Sequence, residues 1–165
     1  MPNDNDVQII APTNTLKAKL GTAACSLDPE AIKRAEAAMT KLKVEFSDWI
    51  VKDIAHLLEA SAAFVAERTT EKADILFRAA HDLKGQATTF EYPMIARVAG
   101  SLAKLMDELQ TREAAPLPLV EAHVDAIRVI HRDKIKDASD LTALTLAEEL
   151  EARVRMTLAR ASQGR

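Results

Sequence analysis

Apolar residues recur every three or four positions along most of the chain, which is the period of an amphipathic α-helix. The segment that follows Pro29 contains neither glycine nor proline as far as Glu67. Asp28 is a favourable N-cap and Pro29 a favourable first helical residue, so we expect a helix to start there. The pattern predicts one long helix, or two nearly collinear helices with a break near Ser47.

Shorter helical patterns follow, and the proline-containing stretches FEYP and APLP separate several of them. The expected helices cover residues 70–89 with Thr69 or Thr70 as the cap, 93–110, 117–136, and a last segment that Asp140 caps. Four substantial helices with short connections predict an all-α fold, an antiparallel four-helix bundle. We assign residues 28–137 to the bundle, residues 1–27 to an N-terminal arm whose residues 14–20 have the pattern of a short helix, and residues 138–165 to an additional C-terminal helix and tail.

Composition agrees with this class and argues against several functions. Only 4 glycines and 6 prolines occur in 165 residues, as long helices require. The net charge is −3 and the basic residues are scattered, so we expect no nucleic-acid partner. No apolar run approaches the roughly 20 residues of a membrane span, and the N-terminus carries acids where a signal peptide carries bases. We therefore expect a cytoplasmic protein, and the lone Cys25 fits a reducing compartment.

The stretch RAAHDLKGQATTF contains the candidate chemistry. On a helical wheel with about 100° per residue, one apolar stripe faces the core; it comprises Leu76, Ala80, Leu83, Ala87 and Phe90. His81 lies about 140° from Leu76 on the same wheel. A second strip therefore faces solvent, and it comprises Phe77, His81, Lys84, Gly85 and Thr88. A plain surface histidine remains the alternative to a reactive one.

These residue types suit phosphoryl transfer. A neutral imidazole has a nitrogen lone pair that can attack phosphorus. Residues three apart on a helix are neighbours, which puts the Lys84 ammonium within reach of a phosphoryl group on His81. Gly85 costs the helix roughly 1 kcal/mol relative to alanine, and close approach of a partner would explain it. Phe77 offers an exposed apolar anchor for that partner, and Thr88 continues the open strip.

The motif HDLKG, on its helix and followed by a turn and another helix, resembles the HxxKG motif of the histidine-containing phosphotransfer (Hpt) domain of bacterial phosphorelays. The resemblance implies that His81 accepts a phosphoryl group from a phospho-aspartate and returns it to another. Lys84 would steady the phosphoryl oxygens and Gly85 would keep access open. It also implies, as partners, receiver domains of response regulators and a hybrid histidine kinase. We expect a monomeric phosphocarrier without a cofactor or metal of its own, any Mg²⁺ belonging to the receiver.

The chain departs from the family pattern at two positions. Many members have a glycine in the turn after the histidine helix, where this chain has Glu91, so the turn should be made differently. Many also have a Gln or Glu that hydrogen-bonds the histidine ring, where this chain has Ala103. Arg97 or Lys104 on the facing helix could add positive charge and contact a receiver.

The other histidines and the alternative functions have weaker support in the sequence. His123 and His131 share one helix face but lie about 12 Å apart along its axis, too far to share a metal. His56 has the setting of an ordinary helix residue. No glycine-rich nucleotide loop is present, so autophosphorylation is not expected. The main alternative is a helical adaptor that binds signalling partners through the same face without carrying phosphate; an enzyme that uses His81 as a general base is a third possibility.

Overall fold

Helices account for most of the chain that can be described. A computed structural model describes residues 29–163, and it describes their side chains outside residues 42–48. The helices are α1 Pro29–Ala66, α2 Thr70–Thr89, α3 Pro93–Glu108, α4 Leu117–Arg132 and α5 Leu141–Gln163, with a 3-10 turn at Arg112–Ala114. No strand occurs within residues 29–163, which confirms the predicted all-α class. The expected N-terminal arm and Cys25 lie outside the described residues.

Contacts between residues divide the chain into two units, residues 1–39 and 40–165. In the first unit, the described residues 29–39 are helical and their side chains are exposed. In the second unit, residues 40–66 are helical throughout, which agrees with the first of the two predicted alternatives, a helix without a break near Ser47. The domain boundaries that we placed at residues 27 and 137 stay predictions.

Helix α3 is the central helix of the described bundle, because it contacts α2, α4 and α5. Its buried side chains include Ile95, Val98, Leu102, Leu105 and Met106. Helix α1 adds Ile50, Ile54, Leu57, Ala60 and Phe64 to the same core cluster. Within residues 29–163, no helix is both long and apolar enough to span a membrane.

Two predicted caps are present at helix starts. The side chain of Thr69 accepts a hydrogen bond from the backbone N–H of Lys72 at 3.4 Å, and α2 spans the predicted residues. Asp140 Oδ1 accepts from the backbone N–H of Ala143 at 2.9 Å and begins α5. Pro93 opens α3 as expected. Each cap satisfies a backbone donor that the first helical turn leaves unpaired.

The turn between α2 and α3 is made with the backbone conformation that a glycine would adopt. Glu91 has φ 62°, in the left-handed region, and directly follows the C-cap residue Phe90. The N–H of Tyr92 bonds to the carbonyl of Ala87 at 2.8 Å, which is the long hydrogen bond of a Schellman motif. Glu91 thus takes the conformation that usually requires glycine. That the turn differs from the turn of family members with glycine stays a prediction.

Helix α4 ends at Arg132, earlier than the predicted residue 136, because a residue other than glycine again takes a positive φ. Lys134 has φ 54°, and the N–H of Ile135 bonds to the carbonyl of Ile130 at 3.0 Å. This second Schellman motif stops α4 at Arg132, although the sequence has no glycine there to signal it.

His123 is a structural histidine. It lies on α4 and is fully buried, and its Nδ1 lies 2.6 Å from the carbonyl oxygen of Leu119. Because that oxygen can only accept, Nδ1 must donate, and Nε2 is left to accept from the Ser101 hydroxyl at 3.1 Å. Burial lowers the pKa of His123, so the neutral ring that makes both bonds is favoured.

Replacing Glu91 by glycine should stabilise the protein. A side chain at positive φ costs roughly 1 kcal/mol, and glycine removes most of that cost even though it loosens the unfolded chain. We expect the melting temperature to rise by about 2–4 °C, with Glu91→Ala as the matched control because alanine keeps the Cβ atom. Equal melting temperatures for the glycine and alanine variants would contradict a strained turn at Glu91.

Candidate functional site

His81 lies on the solvent-facing side of α2. The opposite side of this helix is buried, and its buried residues are Ala73, Leu76, Ala79, Ala80, Leu83 and Ala87. His81, Lys84, Gly85 and Thr88 are all exposed. The structure thus has the histidine off the buried stripe, as the helical wheel predicted.

The His81 ring contacts one aromatic neighbour. Its centroid lies 6.0 Å from that of Phe77, one turn earlier on α2, at an interplanar angle of 36°. No described side chain hydrogen-bonds the His81 ring, and Ala103 is a buried alanine with no group to do so. Both ring nitrogens are therefore open to an incoming group as far as the described side chains are concerned.

Phe77 differs from the exposed anchor that the sequence suggested. It is half-buried and packs against the core, and the Arg112 guanidinium covers its ring at 4.0 Å from the centroid. Arg112 is held in turn by Asp74 at 2.5 Å and by Asp107 at 3.5 Å. Arg112 of the 3-10 turn thus covers the Phe77 ring, which leaves little of its apolar surface exposed.

Gly85 leaves open space beside the histidine. A Cβ atom built on Gly85 would meet nothing within 4 Å. The glycine lines a shallow depression together with His81, Asp82, Gln86 and Thr89. No packing requirement explains this glycine inside a helix, so the cost of roughly 1 kcal/mol in helix propensity remains to be explained by function.

The side chain of Lys84 packs over Gly100 of α3, the second glycine that lies within a helix. A Cβ atom built on Gly100 would stand 3.3 Å from Cδ of Lys84 and 3.5 Å from its Cε. The aliphatic stem of Lys84 therefore runs over α3 at a point where that helix has no side chain. Thr88, on the next turn, donates its hydroxyl to the Lys84 carbonyl at 3.2 Å.

The two cations predicted on α3 differ in their partners. Arg97 donates two hydrogen bonds to the Glu151 carboxylate of α5, at 2.7 and 2.8 Å. Lys104 is half-exposed and lies 3.6 Å from Glu108 on its own helix. The hydrogen bonds from Arg97 lower the pKa of Glu151, and the charges of Arg97, Arg155 and Lys104 lower it further. The helical face beside Lys84 is therefore cationic.

A family model of the Hpt domain matches residues 41–163, well over half of the chain. The chain belongs to the Hpt domain family. Membership indicates phosphotransfer in two-component signalling, where Hpt domains interact with receiver domains and kinases and act as phosphocarriers rather than catalysts. No curated protein and no solved structure gives a significant match to the chain.

The other flank of His81 in this Hpt domain carries two carboxyl groups. Asp53, on α1, has a buried Oδ2 atom without a hydrogen-bond partner among the described residues. Burial raises the pKa of Asp53; His56 opposes that rise, and the negative charge of Asp82 adds to it. Asp82 directly follows His81, and because its charge acts on Asp53 we place it on the α1 side of the histidine.

Several residues of the Hpt site have no signal in the sequence. Gly100, Arg112, Glu151 and Arg155 come from α3, the 3-10 turn and α5, and their contacts depend on how these elements pack. A second glycine within a helix was the one available clue, because Gly100 carries the same propensity cost as Gly85.

No group of three or more metal-ligating side chains occurs among the described residues.

Alanine substitutions should distinguish the two helical glycines. Gly85→Ala should raise the free energy of unfolding by up to about 1 kcal/mol, since its new methyl group meets nothing. Gly100→Ala should raise the free energy of unfolding by less, because the Lys84 stem must shift to make room for the new methyl group. In a Lys84→Ala background this stem is gone, so Gly100→Ala should then stabilise the protein as much as Gly85→Ala does. Denaturant unfolding of the four-variant cycle measures this coupling, expected at about 0.5 kcal/mol. Equal effects of Gly100→Ala in both backgrounds would rule out the contact.

Proposed function

We propose that His81 carries the phosphoryl group in a phosphorelay. A nitrogen lone pair of the neutral imidazole attacks the phosphorus of a receiver domain's phospho-aspartate. The N–P bond forms as the P–O bond to the aspartate breaks, and the aspartate carboxylate leaves. Reversal of the same step on a second receiver returns the phosphoryl group to an acyl phosphate.

The observation that carries this proposal is the open space over Gly85 beside an exposed His81 ring. Phosphoryl transfer between proteins needs an approach along the line through nitrogen and phosphorus, so a partner's backbone must come close to the acceptor helix. A side chain at position 85 would stand one turn from the imidazole, in the path of that approach. The glycine therefore exchanges helix stability for access, and nothing in the packing of α2 gives it another role.

Lys84 supports the transfer by its charge. The developing phosphoryl oxygens are negative, and a fixed cation next to them stabilises the transition state. The stem of Lys84 rests on Gly100, which restricts the directions in which its ammonium can extend. A charge-assisted hydrogen bond is worth about 1.5–3 kcal/mol, so Lys84 would accelerate transfer by roughly one to two orders of magnitude.

The proposed partners follow from the family and from the site. A hybrid histidine kinase would supply the phosphoryl group through its receiver domain, and a response regulator would take it up. The Hpt domain needs no cofactor for this step, and any Mg²⁺ would be held by the receiver. We propose that the chain itself has no autokinase activity.

Incubation with phosphorylated receiver domains tests the role of His81. The wild-type protein should acquire acid-labile, base-stable phosphate, and His81→Gln should acquire none, with the melting temperature nearly unchanged because the side chain is exposed. His56→Gln is the matched control, since His56 is another exposed histidine on a helix, and it should label like the wild type.

Persistent labelling of His81→Gln would place the acceptor elsewhere in the chain. No labelling of the wild type by any receiver would favour the adaptor reading, in which the same face binds partners without accepting phosphate.

A further inference from the structure

A cationic groove runs between α3 and α5, directly beside the phosphotransfer site. Its volume is about 410 Å³, and the residues that determine its character are Lys84, Arg97, Gly100, Lys104, Glu151 and Arg155. Four of these are cations and one is a carboxylate. The groove is positive although the chain as a whole has a net charge of −3.

The cations of the groove are engaged to different degrees. Arg97 is neutralised by the bidentate pair with Glu151, which also joins α5 to α3. Arg155 is exposed and forms no ion pair with a described residue, although its charge lowers the pKa of Glu151. Lys84 likewise forms no ion pair among the described residues. Arg155 and Lys84 therefore leave positive charge for a partner to meet.

The groove and the phosphotransfer site share Lys84. Its stem crosses Gly100 at the groove, and its Cα lies one turn from that of His81. A standard interface covers about 800 Å² on each partner, which is a patch of roughly 16 Å radius. Neighbouring helices lie about 8–10 Å apart, so a protein centred on His81 also covers the groove between α3 and α5.

The opposite flank carries the exposed carboxylate of Asp82. On the helical wheel Asp82 lies about 160° from Lys84, and its charge acts on Asp53 of α1, so Asp82 lies on the α1 side of His81. Burial raises the pKa of Asp53 and so disfavours its charged form. A partner that approaches His81 therefore meets positive charge over α3 and α5 and the negative charge of Asp82 on the α1 side. Such an arrangement favours one orientation of the partner over its reverse.

We propose that the α3–α5 groove receives acidic side chains of the receiver domain that exchanges phosphate with His81. The proposal rests on the proposed function of His81 and makes α5 part of the docking surface. Arg155 is the principal contact, because its charge is exposed and unpaired among the described residues. The interaction speeds association and orients the receiver, and it takes no part in the chemical step.

Charge reversal on α5 supplies a matched pair of variants. Arg155→Glu changes the groove, whereas Arg153→Glu makes the same charge change on the same helix beside a different groove, one lined by Pro116, Leu119 and Leu146. Arg153 pairs with Glu149 at 2.7 Å, and losing an exposed pair of this kind has little effect on stability. Thermal melts of both variants check that the fold is retained.

Two phosphodonors separate docking from chemistry. Phosphoramidate is a small donor that passes its phosphoryl group to an imidazole nitrogen and releases ammonia, so it needs no docking surface. The second donor is the receiver domain, phosphorylated with acetyl phosphate, that labels the wild type fastest among the receivers tested. Labelling of His81 is followed with each donor, at low and at high salt.

We expect phosphoramidate to label all three proteins at the same rate. Transfer from the receiver at low salt should be about tenfold slower for Arg155→Glu and nearly unchanged for Arg153→Glu, and the difference should shrink at high salt as screening increases. Equal rates for the two variants with the receiver donor would overturn the docking proposal. Failure of both donors to label wild-type His81 would instead overturn the proposed function, and the docking proposal with it.

Discussion

The burial of one stripe of α2 fixes the direction of every other side chain on that helix. Small residues and leucines alternate along the stripe, and all of them are sequestered against the bundle. With 3.6 residues per turn, the remaining positions must face solvent or the neighbouring helices. His81 and Gly85 therefore face outward, and Lys84 points towards α3, where Gly100 makes room for its stem. The candidate chemistry is a consequence of the same periodicity that builds the core.

The helices and the exposure of His81 could be predicted because they depend on neighbours in sequence. The Thr69 side chain caps α2 by accepting a hydrogen bond from a residue three positions away, and the apolar residues of the stripe recur about once per helical turn. The end of α4 and the conformation of Glu91 could not be predicted, because glutamate and lysine rarely adopt positive φ and nothing nearby in the sequence signals it. Family membership was indicated by five adjacent residues, HDLKG, on a helix of the right kind.

Only Arg97 and Lys104 of the residues that flank the site could be predicted, because the flanks are assembled from distant parts of the chain. Arg97 and Glu151 lie 54 positions apart, and Arg112 reaches Phe77 from a 3-10 turn beyond α3. The sequence analysis assigned residues 138–165 to an additional helix and tail outside the bundle, and it named Arg97 or Lys104 as a source of positive charge. In the structure α5 neutralises Arg97 through Glu151 and brings Arg155 to the groove beside Lys84. The charge asymmetry around His81 therefore depends on the helix that the motif does not include.

A chase experiment tests the carrier function most directly. The protein is loaded with phosphoramidate and freed of the donor, and it is then mixed with unphosphorylated receiver domains. The proposed carrier role predicts that phosphate leaves His81 and appears on a receiver as a base-labile acyl phosphate, while Lys84→Ala, loaded to the same extent, transfers it more slowly. Phosphate that stays on the histidine in the presence of every receiver, or that is released to water without any acyl phosphate, would contradict a role for His81 as a phosphoryl carrier.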